Sequence, residues 1–188
     1  MTRRASITEG DILNATLEIL RERGEEAINA RRIAEKLGCS TQPICFNFAT
    51  MEELKEALRE VAYKTYHGFI EREVASGKYP AYKAYGMAYM RFASEEKELF
   101  KFLFMCDRKG VMANETPDFS ESVEMIMAAN GVTRECAQKM HFEMWSFVHG
   151  IGTMLATSFL ALDWESISKM TSDVYHGLQV IHATEEHK

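Results

Sequence analysis

Proline and strand-like alternation are both scarce in this chain, and together they confine it to helices. Pro43, Pro80 and Pro117 are the only prolines in 188 residues. A proline inside a helix costs about 3 kcal/mol, because it removes an N–H and crowds the preceding turn. Their rarity leaves long stretches open to helix, and in those stretches apolar side chains recur at a period near 3.6. No run of alternating β-branched residues marks a strand. The expected fold class is therefore all-α. Helices are predicted at about 9–23, 30–37, 41–47, 50–75, 81–93, 95–106, 119–129, 133–161 and 164–184, and the segment 107–118, which holds Gly110 and Pro117, is predicted to be a loop.

Composition narrows the class further. The chain is 46% apolar and 27% charged, as in an ordinary globular protein. No window approaches 18 uninterrupted apolar residues, so no membrane span is expected. The basic start, Met1 to Ala5, runs into a charged amphipathic stretch without the apolar core of a signal peptide, and a cytoplasmic location is expected. Cys39, Cys45, Cys106 and Cys136 form no C-x-x-C pair and no disulfide framework. Net charge is −6, but its distribution is uneven. Residues 1–50 are balanced, with seven basic and seven acidic side chains, and the whole deficit lies in residues 51–188. A neutral segment with local arginine pairs can still grip a polyanion if its acids face away.

The two short helices near the N-terminus carry the functional signal. Asn29 is placed to cap the first, and Gly38 to end it. Ser40 is expected to cap the second. Two short helices joined by a glycine turn are a helix-turn-helix pattern. Ile33, Ala34 and Leu37 give the first helix an apolar face, and the small Ala34 allows close approach of the second. Ile44 and Phe48, four apart, pin the second helix to a core. Pro43 falls in its first turn, where the missing N–H has no intrahelical partner anyway. Thr41, Gln42, Pro43 and Phe46 are left facing outward. Glutamine can pair bidentately with adenine, while threonine and apolar groups can touch the thymine methyl. Arg31, Arg32 and Lys36 lie beside this patch, where phosphates would run. Any short helical turn in a helical protein could carry the same pair of helices, but it would not need an exposed Thr-Gln-Pro.

Residues 7 to 58 resemble the N-terminal domain of the TetR family of transcriptional regulators. The matching residues are Ile12, Ala15, Leu20, Gly24, Ile33, Ala34, Gly38, Ser40, Ile44, Phe48, Glu53 and Leu54. The resemblance implies a helix-turn-helix DNA-binding domain over residues 1–50 and a helical ligand-binding and dimerisation domain over 51–188. It implies that the helix after Ser40 reads DNA and that Asn29, Arg31, Arg32, Ser40 and Asn47 hold phosphates. The chain departs from the family pattern at two phosphate-contacting positions, with Cys45 in place of tyrosine and Met51 in place of lysine. Lys55, one turn on, is the expected substitute. Arg3 and Arg4 read equally as a minor-groove arm or a solvated tail.

Beyond residue 80 the chain is rich in methionine and aromatic residues. Plain core packing accounts for any one of them, but such a content also fits an adaptable cavity. Met87, Met90, Phe104, Met125 and Trp145 are the candidate lining of a ligand pocket. Trp145, His149 and Gly150 resemble a Trp…His-Gly motif in the C-terminal domain of many TetR-like proteins, whose last two long helices pair with their copies. Met154, Leu155, Phe159 and Leu162 form the candidate dimer stripe. The resemblance implies three partners: double-stranded DNA, a second copy of the chain and a small-molecule effector. Repression is that family's usual mode.

Three other readings compete. A di-iron enzyme needs two Glu-x-x-His motifs on facing helices, and this chain has none. It has no phosphate loop or dinucleotide fingerprint either, so no enzyme, cofactor or metal is expected. His149 as a metal ligand lacks a second histidine or cysteine one turn away. Cys39 and Cys45 make a thiol- or metal-responsive DNA-binding regulator conceivable. A helical interaction module that binds no DNA is the third.

Overall fold

The structure, a computed structural model, describes residues 7–105 and 119–185. Among these residues the fold is all-α, as expected. Its α-helices are α1 (Glu9–Arg23), α2 (Ala30–Leu37), α3 (Gln42–Asn47), α4 (Met51–Ala75), α5 (Ala81–Glu95), α6 (Lys97–Phe104), α7 (Ser120–Asn130), α8 (Arg134–Ala156) and α9 (Trp164–Glu185). A 3-10 turn, Glu25–Ala27, which the helical periodicity did not anticipate, lies between α1 and α2. The expected loop at 107–118 and the arginine arm at Arg3 and Arg4 fall outside the described residues.

Capping side chains fix several of the helix starts. Thr8 accepts a bond from the Asp11 N–H at 3.2 Å, and the Asp11 carboxylate accepts one from the Thr8 N–H at 2.8 Å. That reciprocal pair satisfies two donors the helix leaves open, and it holds the Asp11 carboxyl below its usual range. Thr50 does the same for α4 with a variation. It accepts from the Glu53 N–H, while Glu53 reaches one residue further back, to the Ala49 N–H at 2.7 Å. Asp163 accepts from the Ser166 N–H at 2.8 Å at the start of α9.

The end of α8 departs from expectation. The helix stops at Ala156 rather than near 161. Ser158 takes a left-handed φ of 57°, the Ser158 N–H bonds the Leu155 carbonyl, and the Phe159 N–H bonds the Met154 carbonyl at 2.9 Å. This is the Schellman arrangement, normally closed by glycine. Phe159 and Leu162 therefore lie beyond the helix and do not extend its apolar stripe, whereas Met154 and Leu155 sit in its last turn.

The described residues divide into two compact units. One comprises α1 to α3, α4 up to Thr65, and α6. The other comprises α4 from Tyr66 onward, α5, α7, α8 and α9. The first is built on fully buried Ile12, Leu20, Ile33, Leu54, Leu58 and Leu99. A fork from Arg21 to Glu96, at 2.9 and 2.7 Å, ties α1 to the start of α6. The second is built on Met87, Met90, Phe92, Ile126 and Met140, with Lys83 of α5 donating to Ser168 and Ser172 of α9 at 2.8 Å each.

Candidate nucleic-acid interface

The helix-turn-helix is shaped by one glycine and one asparagine. Asn29 accepts from the Arg32 N–H at 3.0 Å and caps α2. Gly38, at φ 65° and ψ 35°, closes that helix, and the Cys39 N–H returns to the Ala34 carbonyl at 3.0 Å. An L side chain at this φ would be strained, so glycine makes the turn at little cost. Ile33, Ala34, Ile44 and Phe48 are buried and lock α2 and α3 together.

Ser40 does not cap α3. The position before the helix is Thr41, in an αR conformation, and no side chain bonds the first-turn N–H groups. Pro43 in that turn removes one of those donors, which lowers the need for a cap. The hydroxyls of Ser40 and Thr41 are thus not consumed as caps of α3, and both residues are exposed. Gln42, Cys45 and Phe46, spaced i, i+3 and i+4, share the face of α3 opposite Ile44. All three are exposed, and Phe46 is 88% exposed. No packing role accounts for a phenylalanine held that far into solvent. Pro43 and Asn47 are half-buried, and Asn47 donates to the Pro43 carbonyl at 2.7 Å.

The cations around this face differ in availability. Arg31 is 87% exposed at the side chain, with an i,i+4 contact to Glu35 at 3.2 Å. Such exposed pairs hold with about 0.3–0.5 kcal/mol and are easily exchanged for a phosphate. Arg32 is exposed and donates to the Ala27 carbonyl at 3.3 Å. Lys36 is bracketed by Glu18 at 2.9 Å and Glu22 at 3.0 Å, which raise its pKa. Lys55, expected to replace the cation that is missing at Met51, sits 3.0 Å from Glu25 of the 3-10 turn and is 22% exposed at the side chain. Its ammonium is engaged within its own unit. The sequence held no signal for that pairing, because the turn that carries Glu25 is not periodic.

The residues expected to line a ligand pocket are divided between the units. Phe104 belongs to the first, where Tyr63 and Phe100 pack on its ring at 6.2 and 5.4 Å. Met87 and Met90 are fully buried in the second, and Met125 and Trp145 are half-buried there. A different group surrounds Trp145. His141, Trp145 and His149 follow one another at four-residue spacing on α8. Phe119 packs on His141 at 4.5 Å and on Trp145 at 6.0 Å, and His149 stacks on Trp145 at 5.1 Å. Tyr82 and Tyr89 of α5 bond the Nδ1 atoms of His141 and His149 at 3.0 and 2.8 Å. Burial lowers both histidine pKa values and raises that of Tyr82. The His141 Nε2 is buried without a hydrogen-bond partner. The i, i+4, i+8 spacing of these three aromatic rings is visible in the sequence, but the tyrosine partners a helix away are not.

The four residues expected to pair with a second copy are placed unevenly. Leu155 is buried within its own chain, Met154 and Leu162 are half-buried, and Phe159 is 77% exposed. Among the described residues no group of three or more histidine, cysteine or acidic side chains is arranged to hold a metal ion, and no helix is long and apolar enough to cross a membrane.

No family model and no curated protein matches the sequence. The fold is similar to that of a solved TetR structure from Acinetobacter baumannii AYE, a single-site variant in complex with minocycline. The match covers 96% of this chain and 97% of that one at a TM-score of 0.54, with 17% sequence identity. The two share a TetR-like all-α fold; at this identity the likeness is one of fold.

Proposed function

We propose that this chain is a ligand-responsive transcriptional regulator. It binds a palindromic DNA operator as a homodimer, acts as a repressor, and is released by a small, largely apolar effector. One observation carries the reading: in a TetR-like fold, the second helix of a helix-turn-helix presents Gln42, Cys45 and Phe46 to solvent while Ile44 and Phe48 anchor it. Thr41, Gln42 and Phe46 are the base-reading side chains, with Ser40 and Pro43 at the edge of the contact. Arg31 and Arg32 hold phosphates. Asn29 and Asn47, engaged as a helix cap and in an intrahelical bond, position these groups. The test is selection of bound fragments from a random DNA pool with the full chain. Enrichment of an inverted repeat is expected, and no enrichment at low salt would overturn the reading.

We assign the effector site to the second unit, around Trp145 and Phe119, the unit that also holds the buried Met87 and Met90. A hydrophobic small molecule found by thermal shift should bind less tightly when operator is present, since linkage makes the two effects reciprocal. Equal affinity with and without operator would remove that molecule as an effector. A second reading has its own support: Cys45 is an exposed thiol on the base-reading face. A thiol-responsive regulator would lose DNA binding on mild oxidation and regain it with reductant, and a Cys45→Ser variant would not respond.

A further inference from the structure

We infer that Phe46 is a specificity-determining residue of this surface, alongside Gln42, and that it reads the C5 methyl groups of thymine. The inference rests on the DNA-binding reading above and names what that surface recognises. Phe46 is 88% exposed, the most exposed large apolar side chain among the described residues. It stands on α3 beside Gln42, and the remaining exposed side chains of that face are Ser40, Thr41 and Cys45. The face therefore carries no charged group. Guanine is most commonly read by a bidentate arginine or lysine on O6 and N7, and nothing on this face can supply one. What it supplies is one amide, which matches adenine N6 and N7, and a large apolar ring. In the major groove the thymine methyl is the apolar feature that such a ring can cover, and covering it removes apolar surface of both partners from water. The nearby cations, Arg31 and Arg32, lie on α2 and not on α3, which suits them to phosphates.

The half-site should accordingly centre on A·T pairs. In the fragments selected above, each thymine is replaced singly by deoxyuridine, which keeps the base pair and deletes the methyl. At one or two thymines per half-site, affinity should fall about fourfold per methyl, the equivalent of about 0.8 kcal/mol. Phe46→Ala should weaken binding to the thymine site and abolish the difference between thymine and deoxyuridine there. Because the ring is in solvent, the variant should unfold at the same temperature as the parent chain. Selected DNA in which no thymine is sensitive to its methyl overturns the inference while leaving DNA binding intact. So does a Phe46→Ala variant that keeps full methyl sensitivity, or one that changes only the oligomeric state. Absence of any selected DNA overturns the DNA-binding reading itself and this inference with it.

Discussion

At the scale of single residues, the reading head separates side chains that read from side chains that hold. Gln42 is exposed in the first turn of α3. Gln42→Ala should cost about 1–3 kcal/mol on the cognate site and little on random DNA. Arg31→Ala should weaken both equally and reduce the salt slope by about one unit, since one phosphate contact is lost. Titrations at several salt concentrations on both DNAs check the pair, and the reverse pattern would exchange the two roles. Lys55→Ala should leave the slope unchanged, because Glu25 already holds that ammonium. A second residue-scale expectation concerns pH. Burial lowers the pKa of His141 and of His149 in the folded chain. The unfolded chain then binds more protons below the usual histidine pKa of about 6.5. The stability these groups contribute is complete above that value and declines as pH falls toward their folded pKa. The unfolding temperature should drop between pH 7.5 and 5.5, and a His141→Gln, His149→Gln double variant should show a shallower drop.

At the scale of elements, helix ends were legible where a capping side chain or a glycine marks them. Thr8, Asn29, Gly38, Thr50 and Asp163 all act where local chemistry places them, because a cap is a contact between residues three or four apart. The end of α8 was not legible, since Ser158 takes a conformation that glycine or asparagine ordinarily signals. An L residue there costs about 1 kcal/mol. Ser158→Gly should therefore raise stability by roughly 0.5–1 kcal/mol, or about 1–4 °C in the unfolding temperature. Thermal unfolding of the variant checks this, and a decrease would show that the serine hydroxyl contributes more than the strain removes. The cap of α3 was misplaced for a related reason. Ser40 carries the right chemistry, but Pro43 already removes one open donor and Thr41 occupies the position before the helix.

At the scale of the whole molecule, pairing of two chains is needed for a palindromic site, with half-sites about one DNA turn, roughly 34–36 Å, apart. The exposed side chains available for it include Phe159 after α8 and Val180 on α9. Gly177 of α9 lies in open space, where a second helix could approach closely. Phe159→Asp should split a dimer held there and abolish tight operator binding, because a buried unpaired charge is costly. Light scattering at micromolar concentration checks it. A parent chain that is already monomeric would overturn the dimer, and a dimeric variant with full DNA affinity would move the interface away from Phe159. Leu155, by contrast, is buried in its own chain and should affect folding when replaced.

The sequence by itself determined the all-α class, the helix-turn-helix and the exposure of Thr41, Gln42 and Phe46, though it set Pro43, which is half-buried, on the outward face in place of the exposed Cys45. Each follows from periodicity, caps and turn residues, interactions that span no more than about one helical turn. It also placed the apolar positions that became the two cores. Only the tertiary structure decided which polar groups remain available. Lys55 meets Glu25 across thirty residues and Lys36 meets Glu18 and Glu22, while Arg31 stays in solvent. Tyr82 finds His141 and Tyr89 finds His149 across α5 and α8, and Phe104 joins a different unit from Met87 and Met90. Such pairings depend on how helices pack in space, and helical period fixes the face a residue occupies but not the partner that face will meet.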